Sequence, residues 1–174
     1  MTMIERKGVF TFRNRDVIII GEDVKPGDQA AEFEVLNQDF EAIKGLASTV
    51  GKVRIIAAVP SLETSVCDRE TRRFNQEAAN LSKDVAVLVV SMDLPYTQKR
   101  WCGAAGIDQV TVVSDANHKE FGPRYGVLLK EIGVFRRAIF VVDKKGFITY
   151  AAYMPVLGDE PNYEEVIAAA RKLV

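Results

Sequence analysis

Two near-continuous apolar runs, 53–59 and 85–91, organise the chain. Runs without polar alternation predict strands covered on both faces. Between them Cys67, Thr71, Phe74, Ala78 and Leu81 recur every three or four residues, which predicts a helix over 64–81. Arg69, Arg72, Arg73, Gln76 and Glu77 fall mainly outside that stripe and read as its solvated face. Pro60 closes the first strand. Asp93-Leu94-Pro95 opens a second helix, with proline in the first turn, which runs through Ala105 and stops at Gly106. A third strand is predicted at 110–113, and a short helix or irregular segment at 121–129. Strands at 137–142 and 147–153 flank Asp143-Lys144-Lys145-Gly146, a hairpin turn. The segment 162–173 carries Tyr163, Val166, Ile167, Ala170 and Leu173 on one helical face. Upstream, apolar segments at 9–12 and 17–20 flank the polar 13–16 turn and predict a β-hairpin. A loop over 21–28, a short strand at 33–36 and a polar loop holding Gly45 and Gly51 follow.

The order is β-hairpin, β, βαβαβ, ββ, α. It predicts one domain over 1–174 of the α/β class. A mixed central sheet flanked by helices, in the thioredoxin-like arrangement, carries an N-terminal β-hairpin. With 174 residues, 48% hydrophobic and 27% charged, the chain can bury a full core. A net charge of −1 and scattered basic residues give no reason to expect nucleic acid or an anionic membrane as partner. No run approaches the roughly 18 apolar residues of a membrane span, and residues 1–7 lack the apolar stretch of a signal peptide. The expectation is a cytoplasmic protein.

Two cysteines, Cys67 and Cys102, are too few for a disulfide framework. In a reducing compartment any bond between them is transient and catalytic rather than structural. With one histidine, His118, and no C-x-x-C pair, a metal site is not expected. His118 sits in the polar run 115–120 and reads as an exposed turn residue. Trp101 and Tyr125 read as packing or interface residues.

Cys67 carries the chemistry. A strand entering a proline turn and then a helix puts it in the first helical turn, where backbone N–H groups have no intrahelical partner. Their partial positive charge favours a thiolate over a thiol. With Thr64 as N-cap, Cys67 takes the third helical position, where a capping-box carboxylate would otherwise accept. An ordinary thiol is only a few per cent ionised at pH 7. A helix terminus supplies up to about 2 kcal/mol toward changing that, so a fixed cation is expected nearby. Periodicity alone reads equally well as a small buried hydrophobe on the stripe. Cys102, beside Trp101 on a short helix, reads as packing by the same test.

Pro60-x-x-x-Thr64-x-x-Cys67 resembles the peroxidatic-cysteine motif of the peroxiredoxins. The fuller text is similar to their thiol peroxidase branch. It includes Thr71-Arg72-x-Phe74-Asn75, Ser91-Met92-Asp93-Leu94-Pro95, Gln98-Lys99-Arg100-Trp101-Cys102-Gly103, Tyr125-Gly126-Val127-Leu128 and Arg137-Ala138-Ile139-Phe140-Val141-Val142-Asp143. The resemblance runs in order along nearly the whole chain. Ser65 stands where many relatives have proline.

The resemblance implies roles. Cys67 matches the peroxidatic cysteine, oxidised by peroxide to a sulfenic acid. Cys102 matches the resolving cysteine, which condenses with it to an intramolecular Cys67–Cys102 disulfide. Thr64 matches the hydroxyl that orients thiolate and peroxide, and Pro60 the residue that shields the site from water. Of the doubled Arg136-Arg137, Arg137 directly precedes the strand and matches the arginine that stabilises thiolate and polarised O–O bond. Cleaving a peroxide needs these group types: a thiolate, a donor to the departing oxygen and a fixed positive charge. A resolving thiol captures the sulfenic acid before further oxidation.

What is then expected is a thiol-dependent peroxidase for hydrogen peroxide and alkyl or lipid hydroperoxides, with no metal, haem or flavin, recycled by thioredoxin and assembled as a homodimer. Two rivals share the chemistry. One is a peroxide sensor that relays oxidation to a partner protein. The other is a thiol–disulfide oxidoreductase, disfavoured by the missing C-x-x-C turn.

Overall fold

The structure, a computed structural model, describes residues 3–174. Strands β1 (Glu5–Phe12) and β2 (Arg15–Ile20) form the N-terminal hairpin. Its turn is tighter than the four polar residues suggest. Arg13 and Asn14 alone connect the strands, both at positive φ, the twist that a two-residue hairpin favours. Then come β3 (Glu34–Leu36), β4 (Ala42–Lys44) and a 3₁₀ turn at Ala47–Thr49. The core follows: β5 (Val53–Ala58), α1 (Ser65–Ala79), β6 (Val85–Ser91), α2 (Pro95–Ala105) and β7 (Thr111–Ser114). The remainder is α3 (Phe121–Arg124), β8 (Leu128–Leu129), β9 (Val134–Phe135), β10 (Ala138–Val142), β11 (Ile148–Tyr153) and α4 (Tyr163–Arg171).

Seven strands form the main sheet in the order β11-β10-β5-β6-β7-β3-β4. β5, β6 and β7 run parallel, joined by α1 and α2, and β10 lies antiparallel to β5. The apolar run of β5 is continuous because both faces are covered. Val53, Ile55 and Ala57 enter one core with Phe74 of α1, Trp101 of α2 and Val166 and Ile167 of α4. Ile56 and Ala58 enter the other, an aromatic cluster of Phe33, Phe121, Tyr125, Phe135 and Phe140. Arg54 interrupts the run yet is buried, because it donates to Thr49 Oγ1, Leu46 O and Asp143 O at 2.9–3.0 Å. β1, β2, β8 and β9 make a second sheet.

Several expectations are corrected. The polar loop with Gly45 and Gly51 contains β4 and the 3₁₀ turn. Residues 121–129 divide into one helical turn and β8, which pairs with the N-terminal hairpin. The α1 helix ends at Ala79, two residues short of Leu81, with Asn80 as its C-cap. His118 is half-buried rather than exposed, with Nε2 2.9 Å from Glu34 Oε1. Tyr125 and Trp101 are core residues, as expected.

Gly126, before β8, packs its backbone against the segment that leaves β2. It has φ +63°, and a Cβ there would lie 2.3 Å from Glu22 O. Gly126→Ala should therefore cost more than about 1 kcal/mol in urea unfolding, and an unchanged midpoint would contradict that close approach.

Candidate active site

The site is built where β5 ends. Pro60 turns the chain, and Asp93, just after β6, fixes the turn. Its carboxylate accepts from Ser61 Oγ at 2.7 Å, Leu62 N–H at 2.8 Å and Ser91 Oγ at 2.8 Å. Thr64 is the N-cap of α1. Its hydroxyl accepts from Cys67 N–H at 3.4 Å and donates to Ser61 O at 3.0 Å. Cys67 occupies the third helical position, fully buried on the inward stripe with Thr71 and Phe74.

Antiparallel pairing of β10 with β5 sets Ala138 beside Ala58, so Arg137 arrives at the end of β5 where the chain turns. Arg137 Nη2 donates to Cys67 Sγ at 3.3 Å, and Ser61 N–H points at the same sulfur from 3.5 Å. The sulfur thus faces one cationic and one backbone donor at a helix N-terminus, the surroundings a sulfur anion needs. Arg136 turns the other way. It donates to Gly126 O and Asp23 and lies over the Tyr153 ring, 4.0 Å from its centroid.

Arg137 is only 1% exposed and has a second anionic partner, Glu70, itself fully buried. It also donates to Leu157 O at 3.0 Å. Burial drives the Glu70 carboxyl up to about 7, against the opposing charge and hydrogen bond of Arg137. Burial pulls Arg137 down, but Glu70 and the Cys67 sulfur outweigh it and its net shift is upward. Glu70 was not singled out from the sequence. The signal was there: a carboxylate three residues after Cys67, on the buried stripe, requires a cation opposite.

A cavity of about 440 Å³ opens beside this cluster. Pro60 and Thr64 line it together with Phe12, Val66, Ile132 and Leu157. Its walls come from the N-terminal hairpin, the β8–β9 connection and the segment before α4, all packed around the turn that holds Cys67.

Cys102 shares the buried core between sheet and helices with Cys67 but makes no hydrogen bond to Arg137, Thr64 or Ser61 among the described residues. It is nearly buried on α2, and its sulfur accepts from Gln38 Nε2 at 3.4 Å. Burial pushes its thiol up, partly offset by that hydrogen bond. Both thiols are free. The two helices are tied by Trp101 Nε1 donating to Asp68 at 3.1 Å and Arg72 donating to Ala105 O at 3.3 Å, and an Arg100–Glu63 ion pair joins α2 to the turn before α1.

The sequence model of the AhpC/TSA family matches residues 26–151. A thiol peroxidase of Bacillus subtilis (strain 168) is 48% identical over 164 residues, spanning 94% of this chain and 97% of that protein. A thiol peroxidase of Streptococcus pneumoniae (strain ATCC BAA-255 / R6) is 42% identical over 163 residues, 94% and 99% of the two chains. The chain belongs to the thiol peroxidases of the AhpC/TSA family.

Among solved structures, a peroxiredoxin-like protein from Aquifex aeolicus superposes over the full length of both chains with a TM-score of 0.85 and 36% identity. A thiol peroxidase from Chromobacterium violaceum matches with a TM-score of 0.79 over 94% of this chain. Its 19% identity speaks for the fold alone. The fold is thus the thioredoxin-like peroxiredoxin arrangement expected from the element order. Among the described residues of this thiol peroxidase, no group of three or more His, Cys, Asp or Glu is placed to hold a metal ion. Nor is any helix among them long and apolar enough to cross a membrane.

Proposed function

We propose that this thiol-dependent peroxidase works through Cys67 and Cys102 in one intramolecular cycle. The Cys67 thiolate attacks the distal oxygen of a hydroperoxide, the O–O bond breaks, and the leaving alkoxide or hydroxide takes up a proton. Cys67 is left as a sulfenic acid. The Cys102 thiol then displaces its hydroxyl as water and forms the Cys67–Cys102 disulfide. A dithiol reductant of the thioredoxin type restores both thiols by exchange, itself becoming a disulfide. No metal, haem or flavin enters the cycle.

The observation that carries this reading is the guanidinium of Arg137 3.3 Å from Cys67 Sγ at the N-terminus of α1, with Ser61 N–H pointing at the same sulfur from the preceding turn. The same guanidinium suits the negative charge that develops on the departing oxygen. Thr64 contributes a hydroxyl at the cavity wall that can turn from Ser61 O toward a bound peroxide. Pro60 lines the cavity at the turn that holds Cys67, and its role on this reading is to limit water there. The apolar walls supplied by Phe12, Val66, Ile132 and Leu157 favour organic hydroperoxides, whose alkyl group they can cover, alongside hydrogen peroxide. The setting proposed is the cytoplasm and the assembly a homodimer.

Cys102 is held by Gln38, and α2 is tied to α1 through Trp101 and Arg72. On this reading disulfide formation proceeds with local unwinding around 64–70 and 95–104, which breaks these ties.

The test is peroxide-dependent NADPH consumption with thioredoxin and its reductase. Cys67→Ser should abolish turnover. Cys102→Ser should abolish the thioredoxin-coupled steady state while leaving one rapid equivalent of peroxide reduced per chain. Full turnover in Cys102→Ser would instead mean a one-cysteine cycle. Oxidation of wild-type Cys67 without turnover would favour a sensor.

A further inference from the structure

The turn joining β3 to β4 closes over α2 in an ordered way. Gln38 Nε2 donates to Cys102 Sγ at 3.4 Å, Asp39 Oδ1 accepts from Lys99 Nζ at 2.8 Å, and the Phe40 ring lies 4.6 Å from that of Tyr96. Three consecutive turn residues thus meet Cys102, Lys99 and Tyr96, which are spaced by three and share one face of the helix.

The turn is built to hold that posture. Asn37 Oδ1 accepts from both Asp39 N–H and Glu41 N–H at 2.9 Å, and its amide donates to Glu41 Oε2 at 2.9 Å. Phe40 adopts φ +63°, a left-handed conformation that costs a bulky residue energy and persists only when neighbours hold it. Phe40 is 45% exposed and Tyr96 73% exposed, so this aromatic pair adds little to a core. Its visible consequence is to fasten the turn to the helix that bears Cys102.

The helix is pinned at its start by Pro95 and by buried Gln98, which donates to Ser91 Oγ at 3.1 Å and Val113 O at 2.8 Å, so the turn over 38–40 adds its hold on the face that carries Cys102. Leu94, its N-cap, offers no side-chain cap. Gly106 ends it in the left-handed conformation.

We infer that residues 38–40 form a clasp that holds Cys102 on folded α2, and that the resolving step proceeds when the clasp lets go. The inference rests on the reading of Cys102 as the resolving thiol. The sulfur leaves its Gln38 partner, the first turns of α2 unwind, and Cys102 displaces the hydroxyl of the Cys67 sulfenic acid as water. While the clasp is closed, the sulfenic acid stays exposed to a second peroxide, which would carry it to the sulfinic acid. The clasp, together with the Trp101 and Arg72 ties to α1, therefore sets how long oxidised Cys67 waits.

The test uses two single variants of the full chain. Phe40→Asn removes the aromatic contact but keeps a residue that tolerates positive φ. Asp39→Asn removes the ion pair with little change of shape. Neither touches Cys67 or Arg137. Reduced protein is mixed with sub-stoichiometric hydrogen peroxide, quenched by acid, and the Cys67–Cys102 disulfide is followed by mass spectrometry. Amide hydrogen exchange over 98–105 is measured on the reduced protein. The aromatic contact contributes of the order that makes opening about five-fold more frequent when removed, and the exposed ion pair about two-fold.

Phe40→Asn should raise exchange over 98–105 and speed disulfide formation by that same factor. Sulfinic acid at high peroxide should fall in step, and the rate of Cys67 oxidation should not change. Faster exchange with an unchanged or slower disulfide step would overturn the clasp. Unchanged exchange and unchanged rates would overturn it too. The absence of a Cys67–Cys102 disulfide in the wild type would remove the two-cysteine cycle itself. Wild-type data alone distinguish that result from a failure of the clasp.

Discussion

Replacing Arg137 with methionine should slow the reaction of the reduced protein with hydroperoxide by about 10²–10³-fold, the loss typical when one preorganised donor to developing charge is removed. The side chain meets Cys67 Sγ and Glu70 at once, in a site where it is 1% exposed. In water a guanidinium contributes little to a nearby anion, but buried and fixed it acts with little screening and no reorganisation. The same substitution strands Glu70. An ionised carboxylate left alone in the core costs about 3–5 kcal/mol, so Arg137→Met should be markedly less stable at pH 8. It should recover much of that loss near pH 5, where Glu70 is protonated. Two measurements separate the effects: peroxide consumption at 25 °C on protein shown to be folded, and urea unfolding at both pH values. Arg137→Lys keeps a charge but not the planar fork that reaches both partners, so it should recover only part of the rate. A folded Arg137→Met protein slowed less than about ten-fold would remove Arg137 from the chemistry.

The parts of this architecture that were legible in the sequence are those with strong periodicity or punctuation. Both near-continuous runs became β5 and β6 because each is covered on both faces. The Pro60 turn, the Thr64 cap and the Pro95 and Gly106 limits of α2 were visible as local backbone chemistry. β8 and β9, two residues each, were not. Their pairing depends on the distant N-terminal hairpin, and no local pattern records such a partner. β4 was hidden by its mostly exposed residues. In the site, the pattern put Cys67 on the inward stripe but said nothing of what faces it. That Arg137 and not Arg136 reaches the sulfur follows from the register of β10 on β5, a property of the folded sheet. Glu70 is hidden in the sequence because the stripe of α1 is defined by its hydrophobic members. An acidic residue among them was the sign of a buried pair. Gln38 carried no signal at all, since only the folded turn brings it to Cys102.

Glu70→Gln should change how stability depends on pH. Burial holds the wild-type carboxyl near 7 in the folded protein, whereas its ordinary value, reached when the chain unfolds, is 4.5. A folded value above the unfolded one means that the native state binds the extra proton between those limits. The stability associated with Glu70 is therefore fully present below about pH 4.5 and is lost as pH rises through about 7. Glutamine has the shape of the protonated acid and never ionises. In a Cys67→Ser background, which removes the reactive thiol, the Glu70→Gln variant should match its parent near pH 5. It should become more stable than its parent by up to about 3 kcal/mol near pH 8, as read by urea unfolding. A gap that stays constant across that range would mean that Glu70 is ionised throughout and fully compensated by Arg137. The expected change has a functional counterpart with Cys67 intact. Glu70 and Cys67 draw on the same guanidinium, so removing the carboxylate charge leaves Arg137 more wholly to the sulfur. The reaction of Glu70→Gln with peroxide at pH 8 should be faster than that of wild type, because Arg137 then serves the sulfur and the departing oxygen without a rival carboxylate.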